Sequence, residues 1–325
     1  MILVQRYTPS TGKIEQIDPE HVGPLLPQED LVLWVDLQHP TDDELHWLSD
    51  TFHFHPLAME DVRKQRQRSK LEWYEGYYFI VLHAIKFHKR SGRLDSDEID
   101  TFLGKNYLVT VHRNSAPIIA QVRQRWNESA CPREETSFLF YLLLDAVVDD
   151  YFPALDDIGD IIDTIDTTIS TKPDPAMLNR IFSLRHTLLS IRKIVTPLRD
   201  ALNELIRSEE SGHLFPLTKT TAYFNDVFDH ALRVIDFVDT YRDMLSSSVE
   251  AYQSSLSNRL NENMQRLTVV ATILATNAAI TGFFGVNLRG MGVGSEWPYG
   301  AQILFLTIIV VTLFELWIFR RKGWF

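Results

Sequence analysis

The last sixty residues constrain this chain most. Leu267 to Leu288 is a run of 22 residues without a charge, and Trp297 to Phe319 is a run of 23 with one, Glu315. Each is long enough to cross a hydrocarbon core, which takes about 20 helical residues. A chain of this kind is a membrane protein with a two-span anchor behind a large polar part. Arg266 precedes the first run, Arg320-Arg321-Lys322 follow the second, and the connecting loop holds Arg289 and Glu296. The bases therefore place the polar part and both termini on the cytoplasmic side of an inner (cell) membrane. Met1-Ile2-Leu3-Val4 is too short an apolar run, without a basic flank, to read as a secretory signal.

The polar part is acidic. Residues 1–266 hold 41 acids against 28 bases, a net charge of about −13. Nucleic-acid binding is not expected, because it needs clustered Lys and Arg; attraction of cations is compatible with the charge. One cysteine, Cys131, excludes an internal disulfide and a Cys-cluster metal site. No Gly-x-x-x-x-Gly-Lys-Ser/Thr loop is present to hydrolyse ATP. No grouping of nucleophile, base and orienting residue points to an enzyme, and no cofactor is expected.

Residues 1–115 read as an α/β domain. Leu31–Leu37, Tyr77–Ile85 and Tyr107–His112 carry strand-forming runs. Thr41 is the expected N-cap of a helix, with Glu44 three residues on. Residues 116–216 read as a helical hairpin: one helix from Thr136 to about Ser170, a Pro173-Asp174-Pro175 turn, and a second helix to about Arg207. Eight aspartates from Asp145 to Asp166 mark the polar side of the first helix, a face that could hold metal ions but is more often solvated. Residues 217–266 form a stalk. Its apolar residues, from Phe224 to Leu267, alternate in steps of three and four, and no Gly or Pro interrupts before Gly282. Stalk and first span then form a single helix of about 65 residues, ~100 Å long, through which motion can pass from cytoplasm to membrane. The spans are 267–288 and 298–319, joined by an outer loop at 289–297 and followed by a basic tail at 320–325.

The two spans differ. The first is rich in small and polar residues, among them Ala271, Thr272, Ala275, Asn277, Ala278 and Gly282; the second is bulky, from Ile303 to Trp317. Lipid suits the second composition, and helix contact or water suits the first. One chain has a single such helix, so surrounding a path takes a symmetric oligomer with first spans innermost. A plain dimerisation face is the simpler alternative. At the outer end, Gly282 and Gly285 permit close approach, and Asn287 offers an amide oxygen. A ring of such oxygens suits a hydrated divalent cation such as Mg2+.

Asn261-Glu262-Asn263-Met264-Gln265-Arg266-Leu267-Thr268, then Gly282-Phe283-Phe284-Gly285-Val286-Asn287, resemble the CorA superfamily of two-span metal transporters. Trp34-Val35-Asp36-Leu37 before Pro40-Thr41, His55-Pro56-Leu57-Ala58-Met59-Glu60-Asp61, and Arg320-Arg321-Lys322-Gly323-Trp324 agree with it, so the resemblance covers the whole chain. His53 and His55 belong to a structural phrase of the family, where core packing or a helix start is expected of them rather than ligation. The resemblance implies an α+β membrane protein: an α/β cytoplasmic domain, a helical hairpin and a long stalk entering the first of two spans. It implies a funnel-shaped homopentamer moving divalent cations inward. Asn261, Met264, Leu267, Ala271, Ala275, Ala278, Gly282 and Asn287 would face the pore, with Gly285-Val286-Asn287 as the ion entry.

Val286 stands where the family's Mg2+ channels carry Met, and Ala275-Thr276 where they usually carry a bulky residue and Pro. Gly-Val-Asn-Leu-Arg-Gly-Met-Gly-Val-Gly looks closer to the zinc-transporting ZntB branch, and Arg289 near the mouth disfavours rapid Mg2+ permeation. The expected cargo is Zn2+ with overlapping Mg2+, Co2+ or Ni2+. A Mg2+/Co2+ channel gated by internal metal and a membrane-tethered sensor without transport are the alternatives. In such a channel acids gate by binding internal metal; counting back along the stalk places Asp226 at the matching height, with Asp97 or Glu98 as its partner, and solvated surface is the alternative role for these acids. Glu315, the one acid within a span, is either a polar contact beside Arg320 or a proton relay.

Overall fold

The structure, a computed structural model, describes residues 1–28, 30–128, 135–171, 174–210, 220–285 and 300–324. Strands β1 (Ile2–Thr8), β2 (Lys13–Ile17) and β3 (Val32–Gln38) come first, with the short helix α1 (Val22–Leu25) between the last two. Helices α2 (Asp42–Phe52) and α3 (Pro56–Lys64) follow, then β4 (Lys70–Tyr74), β5 (Tyr77–His88), β6 (Arg93–Gly104) and β7 (Tyr107–His112). The rest is helical: α4 (Ala116–Glu128), α5 (Thr136–Asp149), α6 (Tyr151–Thr171), α7 (Pro175–Glu210), α8 (Thr221–Gly285) and α9 (Gly300–Arg321). Two compact units arise, one of Met1–Thr167 with Asp174–Ser248, the other of Thr168–Pro173 with Val249–Phe325.

In the first unit the strands form one sheet, ordered β2-β1-β3-β7-β6-β5-β4. Only β3 and β7 pair in parallel. That pair is central, and β3 is buried on both faces, which is why Val32–Val35 and Leu37 are apolar, with Asp36 the one polar residue among them. On one face Val35, Phe79, Val81 and Phe102 pack with Leu48, Ala58, Met59 and Val62 of α2 and α3. On the other, Trp34 meets Trp126 of α4 edge to face at 5.8 Å. Asp36 ties that face together. It accepts from Thr110 Oγ1 at 2.7 Å and from Arg123 Nη2 at 3.0 Å, and His112 Nε2 stands 3.2 Å away. The Trp-Val-Asp-Leu phrase is thus a clamp between β3, β7 and α4.

Helix α2 starts as its sequence requires. Thr41 accepts from the Glu44 amide, and Glu44 reaches back to the Thr41 amide at 2.8 Å. Thr41→Ala should cost about 1 kcal/mol, seen as a drop of about 2–4 °C in thermal midpoint, whereas Thr41→Ser should retain the wild-type midpoint. His53 closes α2 in the left-handed region (φ 55°), and His55 opens α3 by accepting from the Leu57 amide. The helix-start role expected for this phrase is therefore met by His55.

Three expectations change. The helix drawn from Thr136 to Ser170 is two helices broken at Asp150, because Pro153 has no N–H for the Asp149 carbonyl and its ring crowds that oxygen. Residues 116–128 are not part of a hairpin but form α4, which packs on α5 and, through Trp126 and Arg123, on β3. The aspartate face is not uniformly solvated: Asp145 is buried and paired with Arg125 of α4 at 2.7 Å. The long helix is as expected, with α8 running unbroken for 65 residues.

Candidate ion path and acidic clusters

In the second unit α8 and α9 each carry a window apolar enough to span a membrane, and those windows are 6 % and 0 % buried. Coverage along α8 is one-sided. Gln265, Val269, Thr272, Ile273, Thr276, Asn277 and Ile280 are partly or fully covered, in helical steps of one face. Asn261, Met264, Leu267, Ala271, Ala275, Ala278 and Gly282 are all exposed. Met264 and Leu267 keep 61 % and 64 % of their surface. An added Cβ at Gly282 or Gly285 would meet nothing within 4 Å, so the close approach these glycines permit is not used within one chain. Val286, Asn287, Arg289 and Glu296 lie outside the described residues.

The covered face of α8 meets α9. Thr312 donates to Asn277 Oδ1 at 3.3 Å across the two helices. Glu315 lies one turn further along α9, and its Oε2 is buried with no donor among the described residues. Further along α9, Arg321 lies over the Trp317 ring at 5.5 Å.

The acids of the first unit fall into three environments. Asp97 anchors the β7–α4 turn, accepting from the Asn114 amide at 2.9 Å, from Asn114 Nδ2 and from Ser115 Oγ. Glu98 points inward. It is 9 % exposed and accepts from the Gln67 amide at 3.0 Å. Asp100 is fully buried on the same face of β6, and neither of its oxygens has a donor among the described residues. Burial, the Glu98 charge and the hydrogen bond between the two carboxyls hold Asp100 well above the ordinary carboxylate range; burial raises Glu98 too.

Asp226, half open to solvent on α8, lies 4.0 Å from His230 Nε2, whose Nδ1 is 3.6 Å from Asp149 of α5. Asp145, Asp149 and His230 place one ligand atom each within 4.8 Å of one another. Burial first, then the Asp145 charge, raises Asp149. Sequence reading missed His230, although its spacing of four from Asp226 on a helix was a usable signal. It also missed Asp100, whose partner is set by strand register.

Four likenesses bear on these sites. Residues 29–321 match the family model described as CorA-like Mg2+ transporter protein. The chain is 36 % identical over 294 residues to YfjQ of Bacillus subtilis, covering 90 % of this chain and 89 % of that one. It is 32 % identical to the cobalt/magnesium transport protein CorA of Thermotoga maritima, over 90 % and 83 % of the two chains. The fold matches the complete CorA magnesium transporter of Methanocaldococcus jannaschii with a TM-score of 0.81 at 23 % identity, covering 100 % and 99 %.

Proposed function

Because the chain belongs to the CorA-like Mg2+ transporter family, we propose that it carries divalent cations across the inner membrane through a path lined by the first spans of several copies, five by family resemblance. One observation carries this reading. The seven described residues expected at the pore are all exposed on one side of α8, while the covered residues lie on the other side, where Asn277 accepts from Thr312 of α9. An exposed stripe of Ala and Gly with Asn at one end is poorly matched to lipid and well matched to identical neighbours around an aqueous axis. Gly285-Val286-Asn287 would form the outer ring, and both termini would lie in the cytoplasm.

Two readings of the cargo divide on specific features. Val286 and Arg289 favour Zn2+ with overlapping Mg2+, Co2+ and Ni2+, with H+ coupling through Glu315. The names of the Thermotoga and Methanocaldococcus relatives favour Mg2+ and Co2+. In that reading internal metal closes the path at acids such as Asp97 and Asp226. Glu98 suits such a role less, since it is drawn into the domain. Uptake into liposomes holding the purified chain separates them. The first expects Zn2+ uptake that rises several-fold with an imposed pH gradient. The second expects Mg2+ or Co2+ uptake that follows voltage and stops with Mg2+ inside. Liposomes that pass no metal would leave only a tethered sensor.

A further inference from the structure

Threonines in a helix surrounded by hydrocarbon have a ready acceptor in their own backbone, the carbonyl one turn back. Thr268, Thr272, Thr281 and Thr307 use it, donating to Met264, Thr268, Asn277 and Ile303. Thr312 does not. Its hydroxyl crosses to α8 and donates to Asn277 Oδ1. A side chain that leaves its own helix for a neighbour's amide marks a directional contact between the spans.

The direction has a consequence. At about 100° per residue, Ala271, Ala275, Ala278 and Gly282 centre roughly 130° around α8 from Asn277. Val269, 1 % exposed, lies on the opposite side of Asn277 from that stripe. Apolar cover such as that over Val269, Ile273 and Ile280 is non-directional and tolerates rotation of one smooth helix against another. A hydrogen bond at a fixed distance does not. We propose that the Asn277–Thr312 hydrogen bond is a rotational latch: it sets the turn of the first span about its own axis, so that the Ala/Gly stripe points away from the second span and into the ion path. Asn277 and Thr312 are then positioning residues for transport, touching no ion themselves. The inference rests on the reading that the first span lines the path, and deepens it.

The test uses the full chain in liposomes, with Cys131→Ser as background and Co2+ uptake as readout. Ala278→Cys probes the stripe, and Ile280→Cys probes the covered face at nearly the same depth. With the latch intact, a membrane-impermeant cationic methanethiosulfonate should block uptake through Ala278→Cys at least five times faster than through Ile280→Cys. Thr312→Val, which removes the hydroxyl at nearly constant shape, should bring that ratio close to one and lower uptake several-fold. The exchange Asn277→Thr with Thr312→Asn restores a donor and an acceptor and should restore the ratio. A role in packing alone would change protein yield or thermal midpoint without moving it. If the ratio persists in Thr312→Val, the latch is overturned while the lined path stands. If Ala278→Cys gives no block with the latch intact, the lined path itself fails and the latch falls with it.

Discussion

Ala271→Phe is expected to cut divalent-cation uptake at least tenfold without reducing the amount of protein in the membrane. Ala271 lies midway along the exposed stripe, one turn from Leu267 and from Ala275. In a closed symmetric oligomer each copy repeats the change at one height, so a single substitution places a ring of aromatic side chains across the path. A hydrophobic constriction of that kind stops ions by excluding water as well as by filling space. Insertion should not suffer, because Phe is among the residues favoured at the centre of a membrane span. Val310→Phe supplies the control. Val310 on α9 is 57 % exposed and on the side away from α8, where extra aromatic volume meets lipid. Uptake of Mg2+ and Co2+ by the two variants decides the matter. Equal uptake by Ala271→Phe and wild type would show that the stripe faces something other than the path.

What could be read from residues alone depended on whether the cause was local. The long helix was legible because from Leu217 to Thr281 no Gly or Pro supplies a stop and the apolar spacing never slips. The start of α2 was legible because Thr41 and Glu44 satisfy each other within four residues. The break at Asp150 was not, although Pro153 stood in view, since apolar residues on both sides keep helical spacing across it. Strand β2, Lys-Ile-Glu-Gln-Ile, is an exposed edge whose identity comes from pairing with β1 rather than from its own composition. Asp145 looks like one more aspartate on a wet face until α4 brings Arg125 over it. The same holds for the site. The stripe on the first span follows from helical period, whereas the Asn277–Thr312 contact joins residues 35 apart and no local pattern announces it.

Asp100 is the sharpest case of a role hidden by local composition, and replacing it should make the protein more stable. Asp95, Asp97, Glu98 and Asp100 together suggest a solvated segment. Register says otherwise: Glu98 opposes His83 and Asp100 opposes Val81, on the face that packs under α3. Asp61 of α3 adds further negative charge there, although Lys70 holds it at 2.6 Å. Burial beside the Glu98 charge disfavours the charged form of Asp100 and raises its pKa. Its folded-state pKa is raised, so its contribution to stability is whole below the unfolded value of about 3.9. That contribution is lost as pH rises towards the folded value, because the unfolded chain releases the proton freely and the folded one does not. Asp100→Asn keeps the shape and the donor and has no proton to lose. Its thermal midpoint should exceed that of wild type at pH 8, by roughly 1–3 kcal/mol in stability, the scale of leaving a buried polar group unsatisfied. The advantage should be smaller at pH 5 and should vanish near pH 4. A gain independent of pH would point to packing alone, and a loss at pH 8 would mean that the Asp100 charge is used in the folded protein.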